Sequence, residues 1–443
     1  MKKIICLIMA VALAAALMAC GKTAEPETKA TEAEVTTQAQ TAGGEETQAE
    51  TAQGEETQTE EPTTEKQVEL NPYKIAVAFT QINATALAQQ EYLEKYVGPA
   101  FNVEFMFSEA VDSADVAMTF IENAYAAGCD AIMNFQNSSV EQINAKANEV
   151  GMYIVSNSPA AENDDLPYVV GHVHGAVEDS AAAYKHMVED FTSDGEDHNV
   201  VIISAGAGLG NSQHYECTYA MLEVLQDKYG LSYNDSIENL ASSRGMTQVE
   251  TGTDMKILLY PGYPNSDTYV SGLSAELQSG EYDLVLGCNQ ATTNFAVAID
   301  EVERAYNFNV KVGYFTSIDD AATSAVTTID SFGNPSVDSF VINPGDILVG
   351  AMFASLYNAI SGNPDCVRTN GVGTDYFSPI WVADPDTYLK LTELNHSEDT
   401  LEMSIDDIKD LLYIYNEDVT PASFQDKLYT LLPDTILEAR GLK

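Results

Sequence analysis

The chain has 443 residues, of which 68 are acidic and 20 are basic, so its formal net charge at neutral pH is -48. This balance argues against binding to nucleic acid or to anionic lipid headgroups, because both need clustered Lys and Arg. It also disfavours a strongly anionic small ligand.

Residues 1–20 have the pattern of an export signal. Lys2 and Lys3 precede an apolar run at residues 4–16, which is shorter than the roughly 20 residues that a membrane-spanning helix needs. The run ends in Leu-Met-Ala-Cys-Gly at residues 17–21, which resembles the lipobox of bacterial lipoproteins. The resemblance implies cleavage before Cys20 and a diacylglycerol on its thiol, an anchor of two acyl chains. An ordinary cleaved signal with an incidental Cys20 is the alternative.

Residues 21–70 have no hydrophobic periodicity and are dominated by Thr, Glu, Ala, Gln and Gly. Such a composition cannot bury enough apolar surface to offset the entropy lost on ordering. We therefore expect a disordered tether that lets a folded domain stand off the membrane and that ligand binding does not require.

Four cysteines remain once Cys6 of the signal and Cys20 are set aside. They are Cys129, Cys217, Cys288 and Cys366, which are widely spaced and form no C-x-x-C pair. Free buried thiols are the prediction. The alternative is one disulfide bridge, for example between Cys217 and Cys366.

From Tyr73 onward, short β-rich runs alternate with helical stretches. The first half predicts strands at 74–79, 101–107, 130–134 and 152–156, with helices ending near Tyr96 and at 114–127 and 140–150. The second half predicts strands at 198–204, 256–260, 282–287 and 310–315, with helices at 212–229, 269–278 and 292–306. This alternation is typical of parallel sheets covered by helices on both faces. We predict an α/β fold of two similar, doubly wound lobes.

Several phrases of the sequence carry a family resemblance. Residues 128–134 and residues 281–289 share a pattern. In each, a predicted helix ends, an Asp begins a predicted buried strand, and small polar residues follow that strand. Together with the strand ending in Phe79 and residues 151–155, 200–206 and 312–315, their order resembles the type I periplasmic binding proteins of the ribose and galactose class. The resemblance covers about residues 73–388. It implies two parallel-sheet lobes joined by a three-segment hinge, with crossings near residues 171–175, 315–319 and 376–380.

The resemblance also implies the domain boundaries. The N-terminal lobe is expected at residues 71–172 plus 316–376, and the C-terminal lobe at 173–315 plus 377–390. Residues 391–443 exceed a typical family member and predict helices at 404–415 and 421–432, with no assigned function.

Ligands of doubly wound sheets bind beyond the carboxyl ends of the strands, and two lobes meeting there enclose a cleft. The candidates from the first lobe are Phe79, Thr80, Gln81, Phe135, Gln136, Asn137 and Asn157. Those from the second lobe are His214, Tyr215, Asn289 and Gln290, with Phe315 at a crossing. Aromatic rings and neutral amides suit a flat, polar, uncharged ligand. The alternative for Phe79 and Phe135 is a place in the core.

Departures from the family's sugar-binding pattern bear on the ligand. The family's Asn-Asp pair reads Asn289-Gln290, and the Asp that follows Val-Gly-Phe is replaced by Phe315. The Asp after the fourth strand is replaced by Ser156-Asn157, and residues 212–217 contain no Arg. Because the charged clamps for sugar hydroxyls are largely missing, a nucleoside-like or modified-sugar solute is as plausible as a simple monosaccharide.

Two other motifs are weak. Gly-Ala-Gly-Leu-Gly-Asn at residues 206–211 lacks the last glycine of the dinucleotide fingerprint, so we predict a packed turn before a helix. His172 and His174 share a strand face without a third ligand, so we predict hinge residues and no metal site. No nucleophile-base set stands out, and we expect neither an enzyme nor a cofactor.

These observations predict an extracytoplasmic lipoprotein, lipid-anchored at the outer face of the cell membrane and monomeric. It would bind a small, neutral, polar solute, sugar or nucleoside-like, and deliver it to the permease of an ABC importer. The alternative is a receptor lipoprotein that passes a closed-lobe signal to a membrane sensor. A permease gene beside this one would favour import, and a sensor-kinase gene would favour signalling.

Overall fold

The computed structural model describes residues 68–205, 211–262, 267–289 and 295–443. The strands in these ranges are β1 Tyr73–Ala78, β2 Val103–Phe107, β3 Ala131–Asn134, β4 Tyr153–Ser156, β5 Val169–Gly175, β6 Val200–Ser204, β7 Thr247–Val249, β8 Ile257–Pro261, β9 Leu284–Gly287, β10 Lys311–Thr316, β11 Ser339–Ile342, β12 Arg368–Thr369, β13 Val372–Ser378 and β14 Trp381–Ala383.

The α-helices in the same ranges are α1 Ala84–Tyr92, α2 Gly98–Phe101, α3 Ala114–Ala126, α4 Val140–Val150, α5 Val177–Phe191, α6 Ser212–Tyr229, α7 Ile237–Ala241, α8 Asp267–Leu277, α9 Ala296–Tyr306, α10 Asp320–Thr327, α11 Gly345–Ile360, α12 Pro385–Leu391, α13 Ile405–Asp410, α14 Pro421–Thr430 and α15 Pro433–Ala439. A π-helical turn, Leu93–Val97, joins α1 to α2. Among the described residues, no helix is both long and apolar enough to cross a membrane.

The strands form two seven-stranded sheets, one in each lobe. The strand order is β12-β13-β5-β4-β3-β1-β2 in the first sheet and β14-β11-β10-β9-β6-β8-β7 in the second. Pairing is parallel except at β12–β13, β11–β14 and β7–β8. Strands β3, β6 and β9 are buried along their whole length, as expected for parallel strands covered on both faces. The predicted α/β fold of two doubly wound lobes is confirmed.

Two of the three predicted crossings lie where the sequence placed them. The chain leaves the first sheet at the end of β5, and it leaves it again between β13 and β14. The second crossing differs, because β11 pairs with β10 and so extends the second sheet. The chain returns to the first lobe only at Asn343 and Pro344, directly before α11, instead of at residues 315–319. The sequence analysis did not predict β11, a short strand that follows an exposed loop.

Helix α11 is enclosed between the first sheet and the C-terminal part of the chain. Its residues are buried on nearly every side, which is the pattern of a helix covered all round. One side packs on β3, β4 and β5, and α13 covers another. The Asn358 side chain fixes this cover, since its Nδ2 donates to Leu411 O at 2.8 Å and its Oδ1 accepts from Tyr413 N at 2.8 Å.

The C-terminal extension, residues 391–443, contacts both lobes at the third crossing. Gln425 on α14 pairs with the backbone of Phe377 on β13, accepting from its N at 2.8 Å and donating to its O at 2.9 Å. On the second-lobe side, Trp381 Nε1 donates to Leu431 O at 2.9 Å and Tyr429 Oη donates to Asp179 at 2.9 Å. The extension is therefore an integral part of the folded domain.

Two glycines let β5 and β13, neighbouring strands of the first sheet, approach closely. Gly171 on β5 has φ +150°, and a Cβ there would lie 2.1 Å from the backbone oxygen of Thr374 on β13. Gly373 packs against Gly171 from the other side, where a Cβ would lie 3.1 Å from Gly171 Cα. A side chain at Gly171 would push apart the two strands that lead into the first and third crossings.

Candidate functional site

The carboxyl ends of the parallel strands meet the hinge at one place. Gly175 ends β5, and a Cβ there would lie 2.9 Å from the side chain of Ile380 and 3.8 Å from Nδ2 of Asn343. Residues of all three crossings thus converge. The strand ends of both lobes point to this region, as the position of ligand sites in doubly wound sheets requires.

Phe79 and Phe135, two candidates from the first lobe, belong to a cluster of three aromatic rings with Phe107. Phe79 lies 4.8 Å from Phe135 and 6.2 Å from Phe107 between ring centroids, and its ring is nearly parallel to that of Phe107. Phe79 is 3 % exposed and belongs to the core, whereas Phe135 is only partly buried. Phe107 is partly buried as well, so Phe135 and Phe107 keep exposed surface while Phe79 contacts both from the core.

The turn after β3 is held by its own amides. Asn134 Nδ2 donates to Ser156 Oγ at 3.1 Å and to Gln136 O at 2.8 Å. Gln136 is buried, and its side chain donates to Val111 O at 3.1 Å and accepts from Ser138 N at 2.9 Å. Both polar ends of Gln136 are thus engaged within the turn. The neighbouring Asn137 is exposed.

The other first-lobe candidates lie at the ends of β1 and β4. Thr80 is partly buried and Gln81 is exposed. Asn157 is partly buried, and its Nδ2 donates to Val173 O at 2.8 Å. That hydrogen bond directs the amide toward β5 and fixes the orientation of its carbonyl oxygen.

His214 lies in the first turn of α6 and hydrogen-bonds to Ala205, the residue that follows β6. Its ring Nδ1 accepts from the backbone N–H of Ala205 at 2.9 Å, and its backbone N–H donates to Oδ1 of the helix cap Asn211 at 2.9 Å. Burial lowers the pKa of His214 to about 4, so the ring is neutral near pH 7. Tyr215, the next residue, is partly buried, and its ring lies 6.3 Å from that of Tyr219.

The remaining candidates follow β9 and β10. Asn289 and Phe315 are partly buried, and Phe315 packs against the core of the second lobe. Gln290 lies outside the described residues, as do residues 206–210 of the glycine-rich turn and the lipid-attachment candidate Cys20. The pocket roles of the candidates in both lobes stay predictions.

Asn343 is a residue that the sequence reasoning missed. It follows β11 at the second crossing, and its buried Oδ1 accepts no hydrogen bond from the described residues. A buried amide oxygen without a donor is an acceptor that a ligand hydroxyl or amine can satisfy. The signal was present in the sequence as a buried run, Ser-Phe-Val-Ile at residues 339–342, followed by Asn-Pro-Gly.

The two hinge histidines have hydrogen-bond partners within the protein. His172 is buried between Ser158 and Asp164, at 3.0 and 2.8 Å. His174 faces an acceptor with each ring nitrogen, Gly175 O at 3.0 Å and Asp375 Oδ1 at 2.8 Å. Burial opposes the charged ring of His174, yet the Asp375 hydrogen bond and charge leave its pKa above the ordinary value. Within the described ranges, no group of three or more His, Cys, Asp or Glu side chains could hold a metal ion.

All four described cysteines are free thiols. Cys217 and Cys288 belong to the core of the second lobe. Cys366 lies beside β12 of the first sheet and is partly buried. The bridge that the sequence left open, between Cys217 and Cys366, is not formed.

Many solved structures resemble this fold, and three of them are bacterial solute-binding proteins with a bound sugar or polyol. An ABC-transporter solute-binding protein from Bacillus halodurans with bound myo-inositol is 16 % identical and covers 73 % of this chain and 99 % of its own, at a TM-score of 0.50. The arabinose-transporter binding protein of a Shewanella species, bound to L-arabinofuranose, is 10 % identical. The match covers 72 % of this chain and 94 % of that protein, at a TM-score of 0.52. A periplasmic solute-binding protein from Actinobacillus succinogenes with D-allose is 14 % identical. The match covers 72 % of this chain and 99 % of that protein, at a TM-score of 0.51.

These likenesses establish the class of fold. The two lobes have the architecture of the type I periplasmic binding proteins, as the sequence resemblance implied. No family model and no curated protein matches the chain.

Proposed function

We propose that this protein is an extracytoplasmic solute-binding lipoprotein that traps a small, neutral, polar solute, of the sugar or nucleoside-like class, between its lobes for an ABC importer. One observation carries the proposal. Two doubly wound sheets turn their carboxyl ends toward a hinge where three crossings converge. This arrangement supports hinge closure on a solute at the strand ends.

The chemistry of the strand ends supports a neutral solute. Phe135 offers an aromatic face, Asn157 and Asn343 offer amides, and no Lys or Arg follows a strand end in the described part of either lobe. His174 is paired with Asp375, so its charge is already balanced. Three structural neighbours hold an inositol, an arabinofuranose and an allose, which are all neutral polyhydroxyl compounds.

The membrane position rests on the sequence. The export signal and the motif around Cys20 support a lipid anchor, and residues 21–70 supply a tether between that anchor and the folded lobes. A domain held in this way can reach a permease in the same membrane. We do not assign an enzymatic reaction to the protein.

Calorimetric titration of the purified protein with sugars, polyols, nucleosides, amino acids and organic acids tests the proposal. We expect a neutral compound to bind best, with an affinity that changes less than about threefold between 20 and 300 mM salt, because no ion pair is screened. A di- or tricarboxylate as the best ligand, with affinity falling steeply as salt rises, would contradict it.

A further inference from the structure

A cavity of about 380 Å³ lies between the two lobes, beside the second crossing. Its walls are α1, the segment that begins α10, the first turn of α11 and residues 391–402 of the extension. None of the described residues predicted for the cleft lines it. We call it the extension cavity; its walls include Ser317 and Ile318, which directly follow β10, so it borders the strand ends.

The extension cavity is lined by acids and contains no Lys or Arg among its described lining residues. The acidic side chains are Glu91, Asp319, Asp320, Asp346 and Glu402. The rings of Tyr92 and Tyr96 add aromatic surface, and both can face a cation. Five acidic side chains thus share the lining with a single histidine, His396, among the described residues.

Two largely buried polar side chains line this space. Asp346 is 5 % exposed, and no hydrogen bond from the described residues reaches its carboxyl oxygens. Gln89 is also 5 % exposed; its Nε2 donates to Gly345 O at 3.1 Å, and its Oε1 accepts no hydrogen bond from the described residues. The Asp346 carboxyl oxygens and Gln89 Oε1 are not among the fully buried unpaired atoms of the described residues, so they remain accessible from the cavity. A ligand that brings N–H groups into the cavity would satisfy both.

Glu402 places a second carboxyl group beside Asp346. Its Oε1 accepts from Asp346 N and Ile347 N, both at 3.0 Å, so the extension caps the first turn of α11. Burial raises the pKa of Glu402 to about 7. Burial, followed by the charges of Glu402 and Glu91, raises the pKa of Asp346 well above its usual range. Burial thus disfavours ionisation of Asp346 and Glu402, and a cation bound beside them would favour it.

We propose that the extension cavity binds a small organic cation, a primary amine or diamine, through Asp346, Gln89 and Glu402. An ammonium group donates three hydrogen bonds and carries the charge that the lining lacks. A metal ion fits the walls less well, since the described residues bring no three metal-ligating side chains together. This inference goes beyond the proposed function and does not depend on which solute fills the cleft.

The test is calorimetric titration of the purified full-length protein with 1,4-diaminobutane and with 1,4-butanediol, its uncharged counterpart. We expect the diamine to bind and the diol not to bind. Asp346→Asn, which keeps the shape of the side chain, should weaken diamine binding about 30-fold or more. The matched control is Asp386→Asn, an exposed carboxylate on α12 outside the cavity, which should bind like the wild type.

A second variant tests the proposal independently, in case Asp346→Asn fails to fold. Gln89→Met keeps the side-chain volume and removes the acceptor, and we expect about tenfold weaker diamine binding. Equal binding by wild type and both variants, or no binding of the diamine to the wild type, would overturn the proposal. Binding of the diol as tightly as the diamine would overturn its charge requirement. Neutral-solute binding in the cleft should survive each of these failures.

The pH dependence supplies an independent readout. The titratable groups that face Asp346 across the cavity are Glu91, Tyr92, Asp319, Asp320, His396 and Glu402. As the pH falls from 8 to 5, the Asp346 and Glu402 carboxylates, whose pKa values are raised, take up protons, so diamine affinity should fall. An affinity that stays constant or rises over this range would contradict the proposal.

Discussion

Phe424→Ala should lower the free energy of unfolding by about 3–5 kcal/mol, the usual cost of removing a buried phenylalanine ring. Phe424 lies on α14 in the C-terminal extension and is fully buried. Its ring lies 4.5 Å from that of Tyr376 on β13, the strand that leads into the third crossing. Since a domain of this kind is stable by only about 5–15 kcal/mol, the loss is a large share of the total.

Chemical denaturation followed by circular dichroism measures this change, and Tyr429→Phe is the control. Tyr429 lies on the same helix, is 39 % exposed and donates one hydrogen bond to Asp179. Its removal should cost less than about 1 kcal/mol, since an exposed hydrogen bond competes with water. Equal, small effects of both variants would mean that the extension does not share the core of the lobes.

Phe135→Ala should weaken binding of the neutral solute about 30- to 1000-fold, corresponding to about 2–4 kcal/mol. Phe135 directly follows β3 and is partly buried, and its ring packs at 4.8 Å against the buried ring of Phe79. An aromatic anchor of this kind stacks on the apolar face of a ring-shaped ligand. The loss should appear in affinity, measured by calorimetry, while the protein still unfolds cooperatively.

Two further variants separate binding from stability. Phe79→Ala should mainly destabilise the fold, because Phe79 is only 3 % exposed and packs beneath Phe135. Phe332→Ala should change neither quantity appreciably, since Phe332 is 42 % exposed in the loop before the amino end of β11. If Phe135→Ala binds solute like the wild type, the strand-end lining does not hold the ligand.

Much of the fold could be predicted from the sequence because its signals are local. The helix at 212–229 and the helix at 140–150 have the predicted bounds, and each predicted strand of the described lobes is present. The second crossing could not be placed, because β11 is four residues long and its pairing with β10 is a tertiary choice. An apolar run of that length predicts neither the lobe it joins nor its neighbour.

The site was less accessible to sequence reasoning than the fold. Strand ends identify which residues are near the cleft, but not which side chains are already engaged. Gln136 bonds to Val111, 25 residues earlier, and His214 bonds to Ala205 across a turn. The extension likewise predicts helices from its sequence, yet the pairing of Gln425 with Phe377 depends on residues 48 positions apart.

Native mass spectrometry of the freshly purified protein tests the central claim most directly, because a solute trapped between the lobes travels with the protein. The account predicts a carried mass equal to one neutral, sugar- or nucleoside-sized compound. That mass should be absent from Phe135→Ala and present in Phe332→Ala. A carried di- or tricarboxylate, or a neutral solute retained equally by Phe135→Ala, would contradict the account.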